Sequence, residues 1–459
     1  MNVPAEIFRA YDIRGIVGRS LTPAVVRAIG QALGTLGTER GAATFAVGRD
    51  GRLSGLELSV ALMDGLNAAG ANAIDLGMVP TPVAYFAAHH LGCASVAMVT
   101  GSHNPPDYNG IKMVVAGDAL SGDEIQELRR RIESGNVSSM SISSKRTREN
   151  VLDAYVERIA RDVKLARAFR IAVDCGNGVA GALAPRLYRR LGCEVVELFC
   201  EVDGNFPNHH PDPSRPENLL ALIQELKTGQ AELGLAFDGD GDRLGVVTKN
   251  GRIIFPDRQL MLYAKDVLAR HPGAQIIYDV KCTRLLAPWI ERHGGRPVIW
   301  KTGHSLIKAK LKESAAPLAG EMSGHIFFKE RWYGFDDALY CGARLLEILA
   351  KEKNPNETLA GLPDAPSTPE LNWQLAEGEP HALIAKLQER PAFPGAVRVL
   401  TIDGVRAEYA DGFGLARASN TSPVIVLRFE GDTPQALDRI REEFRNALQP
   451  LKPDVPLPR

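Results

Sequence analysis

The sequence predicts an α/β protein built from three related mixed-sheet α/β domains and a smaller C-terminal α+β domain. Two observations predict it. A strand–helix–strand pattern occurs three times along the chain, and a proline-rich break then sets off a final stretch of different build.

Each copy is a short apolar strand, an acidic residue, a helix-length segment, a glycine able to end that helix, and a second apolar strand. The copies run from residues 44–47 to 69–76, from 171–174 to 191–198 and from 276–279 to 293–299. They are too long and too divergent for a solenoid, which leaves separate domains of one design. A serine-rich stretch at 134–148 has no apolar period and reads as a linker. The Asn250-Gly251 dipeptide marks a turn, and three prolines within 361–369 break any regular element. The expected domains are therefore 1–147, 148–250, 251–363 and 364–459. In the last, 396–402 and 424–429 read as strands, 434–448 as a helix, and the closing PLKPDVPLPR as an extended tail.

Composition narrows the function. Among 459 residues, 54 Lys and Arg face 55 Asp and Glu, for a formal net charge of -1. No whole-molecule field then draws nucleic acid or an anionic membrane, and neither partner is expected. Any anionic ligand must be met by a local group of cations. The six cysteines show no CxxC pair and no zinc spacing, as in a reducing compartment. The N-terminus lacks an apolar signal-peptide stretch and nothing approaches transmembrane length, so a cytoplasmic protein is expected.

Four loops carry chemistry. In the first, an apolar strand (96–99) runs into Thr100-Gly-Ser102-His103-Asn-Pro105 and the chain returns through Ile111 and Lys112. Gly and Pro geometry pushes the Ser102 hydroxyl out of the strand end. In the second, Asp238-Gly-Asp240-Gly-Asp242-Arg243 lies between two apolar strands. Glycines between the acids let the backbone curl until the three carboxylates converge. Two like charges ~4 Å apart repel by about 4 kcal/mol at an effective dielectric near 20, so a hard cation such as Mg²⁺ is called for. An EF-hand is excluded, because its twelfth position would be Lys249 and strands flank the loop.

The third loop, Gly320-Glu321-Met322-Ser323-Gly324-His325, offers Glu and Ser to vicinal sugar hydroxyls, with Lys281 and His304 as further donors. The fourth, Arg417-Ala-Ser419-Asn420-Thr421, combines a guanidinium fork with hydroxyls and backbone N–H groups, a set suited to phosphate.

These loops, in this order and one per domain, resemble those of the α-D-phosphohexomutase superfamily, and the likeness covers essentially the whole chain. Further stretches agree, including AYDIRGIVG, EVDGNFPNHHPDP, DVKCT, WKTGHSLIK and FFKERW. Within the superfamily the chain looks closest to the bacterial bifunctional phosphomannomutase/phosphoglucomutase branch. Phosphoglucosamine mutases usually carry SGT where Ser419-Asn420-Thr421 stands, and dedicated glucose-type mutases commonly carry a second Glu at Met322.

The resemblance implies four domains around a central cleft, with one loop from each. It makes Ser102 a phosphoserine that ligates one Mg²⁺ with Asp238, Asp240 and Asp242. His103 flanks it, and Arg243 steadies the transferring group. Glu321, Met322, Ser323, Gly324 and His325 would hold the sugar with Lys281 and His304. Arg417, Ser419, Asn420 and Thr421 would grip the distal phosphate, and Tyr11 and Arg14 would line the cleft. Lys112 and His325 remain alternative proton acceptors. The implied reaction moves phosphoryl between C1 and C6 of glucose and mannose phosphates through a 1,6-bisphosphate intermediate, which also serves as activator. A monomer acting on small-molecule hexose phosphates is expected. Two alternatives stand beside it. One is a HAD-like phosphatase, in which Asp238 would be phosphorylated; the other is a catalytically silent sugar-phosphate-binding protein.

Overall fold

The computed structural model describes residues 1–139, 144–389, 393–420 and 422–458. Three of its four sheets share one core order. In the first, Asn72–Met78, Thr44–Arg49 and Ser95–Val99 run parallel, and Tyr108–Val115 returns antiparallel beside the last of them. The second repeats this with Glu194–Leu198, Arg170–Asp174, Leu233–Phe237 and returning Leu244–Thr248. The third does so with Arg296–Trp300, Gln275–Asp279, Leu318–Gly320 and returning Ile326–Phe328.

This shared order positions the site. The loop between the third and fourth strands of each sheet is the Ser102 loop, the aspartate loop and the Glu321 loop, respectively. The fourth sheet is wholly antiparallel, in the order Leu371–Gln374, Val424–Gly431, Gly412–Ala418, Val405–Tyr409, Arg398–Leu400. The strands on either side of the Arg417 loop, Gly412–Ala418 and Val424–Gly431, are likewise antiparallel neighbours. The strands that enter and leave the aspartate loop are buried at every position, as expected of runs covered on both faces.

One apolar cluster runs from Ala46 to Leu362 and ties the first three domains together. A separate cluster from Trp373 to Leu457 holds the fourth. Helices begin where the sequence supplies caps: Thr22 accepts from the Val25 amide ahead of Pro23–Glu39, and Thr433 accepts from Ala436 ahead of Pro434–Leu448.

Two of the expected breaks meet secondary structure, and the expected tail is corrected. The break after 147 falls inside the strand Arg146–Arg148, which pairs with Asn72–Met78 at the edge of the first sheet; of the expected linker, 140–143 lie outside the described residues. The break after 250 falls in a hairpin, because Ile253–Ile254 folds back on Leu244–Thr248. The closing segment is not extended throughout. A short 3-10 turn at Gln449–Leu451 and the Gln449 side chain, bonded to the Lys452 and Val455 carbonyls, fold it back and bury Leu457. Among the described residues, no helix is long and apolar enough to cross a membrane.

Candidate functional site

Ser102 occupies a tight turn held from below. Its φ of +49° is unusual for a residue with a side chain, a conformation costing roughly 1–3 kcal/mol that surrounding contacts must enforce. Asp50, just past the end of Thr44–Arg49, accepts from the Thr100 hydroxyl at 2.8 Å and the Gly101 amide at 3.0 Å. Arg52 donates to the carbonyls of Ser102, Asn104, Pro105 and Tyr108 at 2.5 to 2.9 Å. The Ser102 hydroxyl lies 3.0 Å from Asp238 Oδ2 and 3.1 Å from His103 Nδ1. Burial first, then neighbouring Arg243, Arg14 and Lys112, hold His103 well below the usual imidazole range, so it is neutral. Arg14 is anchored on Asp12 and Asn104.

Asp238, Asp240 and Asp242 are fully buried, and each offers an oxygen within 4.8 Å of the others. Asp238 Oδ1 accepts from the amides of Asp242 and Arg243, which shapes the loop. Gly239 lets the first two loops touch, since a Cβ there would lie 2.3 Å from the Ser102 carbonyl oxygen. Asp240 Oδ1 and Asp242 Oδ1 have no hydrogen-bond partner. Converging buried carboxylate oxygens, two of them unbonded, fit a hard divalent cation. Lys112 offsets part of the charge: its ammonium bonds Asp240 at 2.8 Å and also Asp242. Burial opposes that charge, but the two aspartates outweigh it and hold Lys112 protonated. Burial, then Asp240 and Asp242, push Asp238 well above the usual carboxylate range.

The second and third loops meet directly. Arg243 and His325 pair as an isolated backbone bridge, and Arg243 Nε donates to His325 Nε2 at 3.0 Å. His325 Nδ1 lies 2.9 Å from Asp336 Oδ2. Gly324, with φ +105°, makes the turn just before it. Glu321 Oε1 accepts from the Gly303 amide at 2.6 Å, while buried Oε2 has no partner. Burial raises the Glu321 carboxyl to about 7. The Met322 amide donates to Asp279, so Met322 contributes backbone order here. His304 stands edge-on to Tyr11, with its Nε2 unpartnered, and burial keeps it neutral. Lys281 bonds Glu370 of the fourth domain at 2.7 Å.

In the fourth loop, Arg417 is buried and donates to Asp403 at 3.1 Å. Ser419 and Asn420 face the cleft; Thr421 lies outside the described residues. One cleft of about 730 Å³ is bordered by Ser102 and His103 from the first domain, Arg243 from the second, Glu321, Ser323 and His325 from the third, and Arg417 from the fourth. Tyr11, Arg14, Lys112, Lys281, His304 and Met322 also line it, and the three aspartates lie buried beneath. Such a cleft joins a hydroxyl nucleophile, a cation cage, hydrogen-bonding groups for a polyol and a guanidinium for an anion.

Family models of phosphoglucomutase/phosphomannomutase match in chain order: alpha/beta/alpha domain I over 5–138, II over 153–251, III over 255–365, and the C-terminal domain over 370–447. The chain belongs to this family. It is 56% identical to a phosphoglucomutase of Neisseria gonorrhoeae over 449 residues, 98% of each chain. It is also 56% identical to a phosphomannomutase/phosphoglucomutase of Pseudomonas aeruginosa over 457 residues, 99% of this chain and 98% of that one. A crystal structure of a family protein from Burkholderia thailandensis superposes with a TM-score of 0.95 at 58% identity, covering both chains fully.

Several residues of this family member escaped the sequence reading of the site. Asp50 and Asp279 do equivalent work: they follow Thr44–Arg49 and end Gln275–Asp279, the second strands in the shared order, and each accepts from the loop after the third. Their signal was the acidic residue of the repeated pattern, read there as organisation only. Arg52, Asp336, Glu370 and Asp403 carried no local signal, because each acts on a partner distant in sequence.

Proposed function

We propose that the chain interconverts the 1- and 6-phosphates of glucose and mannose, carrying the phosphoryl group on Ser102. The observation that supports this best is the Ser102 hydroxyl, 3.0 Å from Asp238 of the carboxylate trio, in a cleft whose far wall holds Arg417. Ser102 with Asp238, Asp240 and Asp242 would hold Mg²⁺, which when bound neutralises charge on phosphoryl oxygens.

Arg417, with Ser419, Asn420 and Thr421, grips the phosphate that does not react. Glu321 and Ser323 accept and donate to sugar hydroxyls, with Lys281, His304 and Tyr11 closing around the ring. The sugar hydroxyl attacks phospho-Ser102; the P–Oγ bond breaks, a P–O bond to the sugar forms, and the proton lost by the sugar hydroxyl is returned by its acceptor to Ser102 Oγ. Arg243 and Arg14 stabilise the charge spread over the transferring oxygens. Lys112 and His325, which both line the cleft, are the alternative acceptors of the hydroxyl proton, and Asp336 would stabilise a His325 imidazolium. The 1,6-bisphosphate then turns end for end and returns its other phosphate to Ser102. The same bisphosphate, added in trace, would activate unphosphorylated protein. Because all four loops come from one chain, a monomer suffices.

Mannose 1-phosphate and glucose 1-phosphate are the substrates to test, with Mg²⁺ and trace bisphosphate. Conversion of both to 6-phosphates is expected, and turnover of neither overturns the reading. Intact mass should show one acid-stable phosphoryl group that Ser102→Ala abolishes. An acid-labile group on Asp238 would favour the phosphatase alternative.

A further inference from the structure

The EVDGNFPNHHPDP stretch, residues 201–213, has no part in the chemistry above, yet it crosses from the second domain to the back of the Ser102 loop. It forms no strand or helix. Gly204 lies against the backbone of 51–53, where an added Cβ would come within 2.7 Å of the Gly51 carbonyl oxygen and 2.8 Å of Arg52 Cα. The Phe206 ring sits 5.1 Å from the Arg52 guanidinium, the group that holds four carbonyls of the Ser102 loop. His210 Nε2 bonds the His103 carbonyl; that oxygen can only accept, so Nε2 carries a proton. Pro211 accepts from the Gly239 amide at 3.2 Å, so one segment touches both the nucleophile loop and the aspartate loop.

The segment is anchored in its own domain. His209 Nε2 lies 3.0 and 3.2 Å from the two oxygens of buried Asp174, and His209 Nδ1 lies 3.0 Å from the His210 carbonyl oxygen. Both ring nitrogens therefore face acceptors, which fixes the ring and with it the direction in which His210 points.

We infer that residues 201–213 are a cross-domain strap that positions Ser102 over the aspartate loop, with Phe206 and His210 as positioning residues for phosphoryl transfer. The reasoning rests on the proposed function only for the reaction used to measure it. Ser102 sits in a strained turn, and the Ser102–Asp238 contact spans two domains whose loops have no covalent tie near the site. Beside the Lys112 ion pairs, the strap holds the nucleophile loop from behind at two non-covalent points, through Arg52 and through the His103 carbonyl. Groups that orient a reacting residue from behind typically cost 10- to 100-fold when removed.

The test compares His210→Ala, His210→Gln and Phe206→Leu in the full chain with wild type. A glutamine amide can replace the Nε2–H donor. Expected are a kcat for glucose 1-phosphate about 10- to 100-fold lower in His210→Ala and Phe206→Leu, KM changed less than about 2-fold, and a higher half-saturating Mg²⁺ concentration. His210→Gln should recover most of the loss. Deuterium exchange of the 100–106 amides, measured without substrate, should rise in the first two variants and not in the third. Wild-type turnover decides the proposed function; the variants' ratios to wild type and the exchange decide the strap. Wild-type kcat and exchange in both Phe206→Leu and His210→Ala overturn it. So does a loss that tracks only the folded fraction, with His210→Gln no better than His210→Ala.

Discussion

Arg243 and His325 are joined twice, once by paired backbones and once by an Nε–H···Nε2 hydrogen bond of 3.0 Å. The aspartate loop and the Glu321 loop are thus a single unit across two domains. Removing either side chain should lower kcat by about 10²-fold or more, the range of a general acid–base group. The double variant should lose far less than the product of the single losses, because partners in one unit are not additive. Steady-state kinetics of Arg243→Ala, His325→Ala and the pair measure this; fully multiplicative losses would show two independent groups.

Removal of divalent ions should abolish turnover, and Mg²⁺ should restore it. The ion should also stabilise the fold, by about 2.7 kcal/mol at 100 times its dissociation constant. Asp240→Asn takes one charge from the trio and should nearly erase the Mg²⁺-dependent rise in Tm seen by calorimetry.

Glu321 makes stability fall with pH. Its carboxyl titrates near 7 when folded, against an ordinary 4.5, so the folded state holds a proton the unfolded chain has released. Stability is unaffected below about pH 4.5, declines as pH rises toward 7, and carries the full penalty above. That penalty is roughly 3 kcal/mol at 1.36 kcal/mol per pH unit. Glu321→Gln should therefore be more stable than wild type at pH 8 and nearly equal to it at pH 5 in urea titrations, while losing activity at both.

Asp403 accepts from the Thr302 amide at 2.9 Å and from Arg417 Nε at 3.1 Å, linking the Arg417 loop to the third domain. Asp403→Ala should leave Arg417 charged but unaimed. KM for either sugar phosphate should rise about 10-fold, with kcat reduced less, as the proposed grip on the phosphate that does not react requires. An unchanged KM would remove Asp403 from the clamp.

The aspartate loop was legible by itself, because ordinary turns do not assemble alternating aspartates and glycines; the other three loops resemble ordinary polar turns singly and stood out only as a set in one chain order. The repeated sheets were legible because periodicity and helix-ending glycines lie close in sequence. What stayed hidden acts across the chain. Arg52 binds backbone carbonyls about fifty residues away, and Glu370 meets Lys281 from another domain. No composition or spacing marks such a pairing, since the carbonyl it serves is the same in every residue. The edge strand Arg146–Arg148 was invisible because all three of its side chains are exposed, which leaves no apolar pattern to read.

The division of the apolar interior also governs how the molecule comes apart. The core from Ala46 to Leu362 is shared by three sheets, so none of them can open without exposing its neighbours. The last sheet closes its own core and meets the third domain through Lys281–Glu370, Arg284–Asp432, Thr283–Glu430 and a small cluster of Val280, Phe413 and Leu415. Four domains by architecture should therefore unfold as two blocks, the small one giving its own transition in calorimetry.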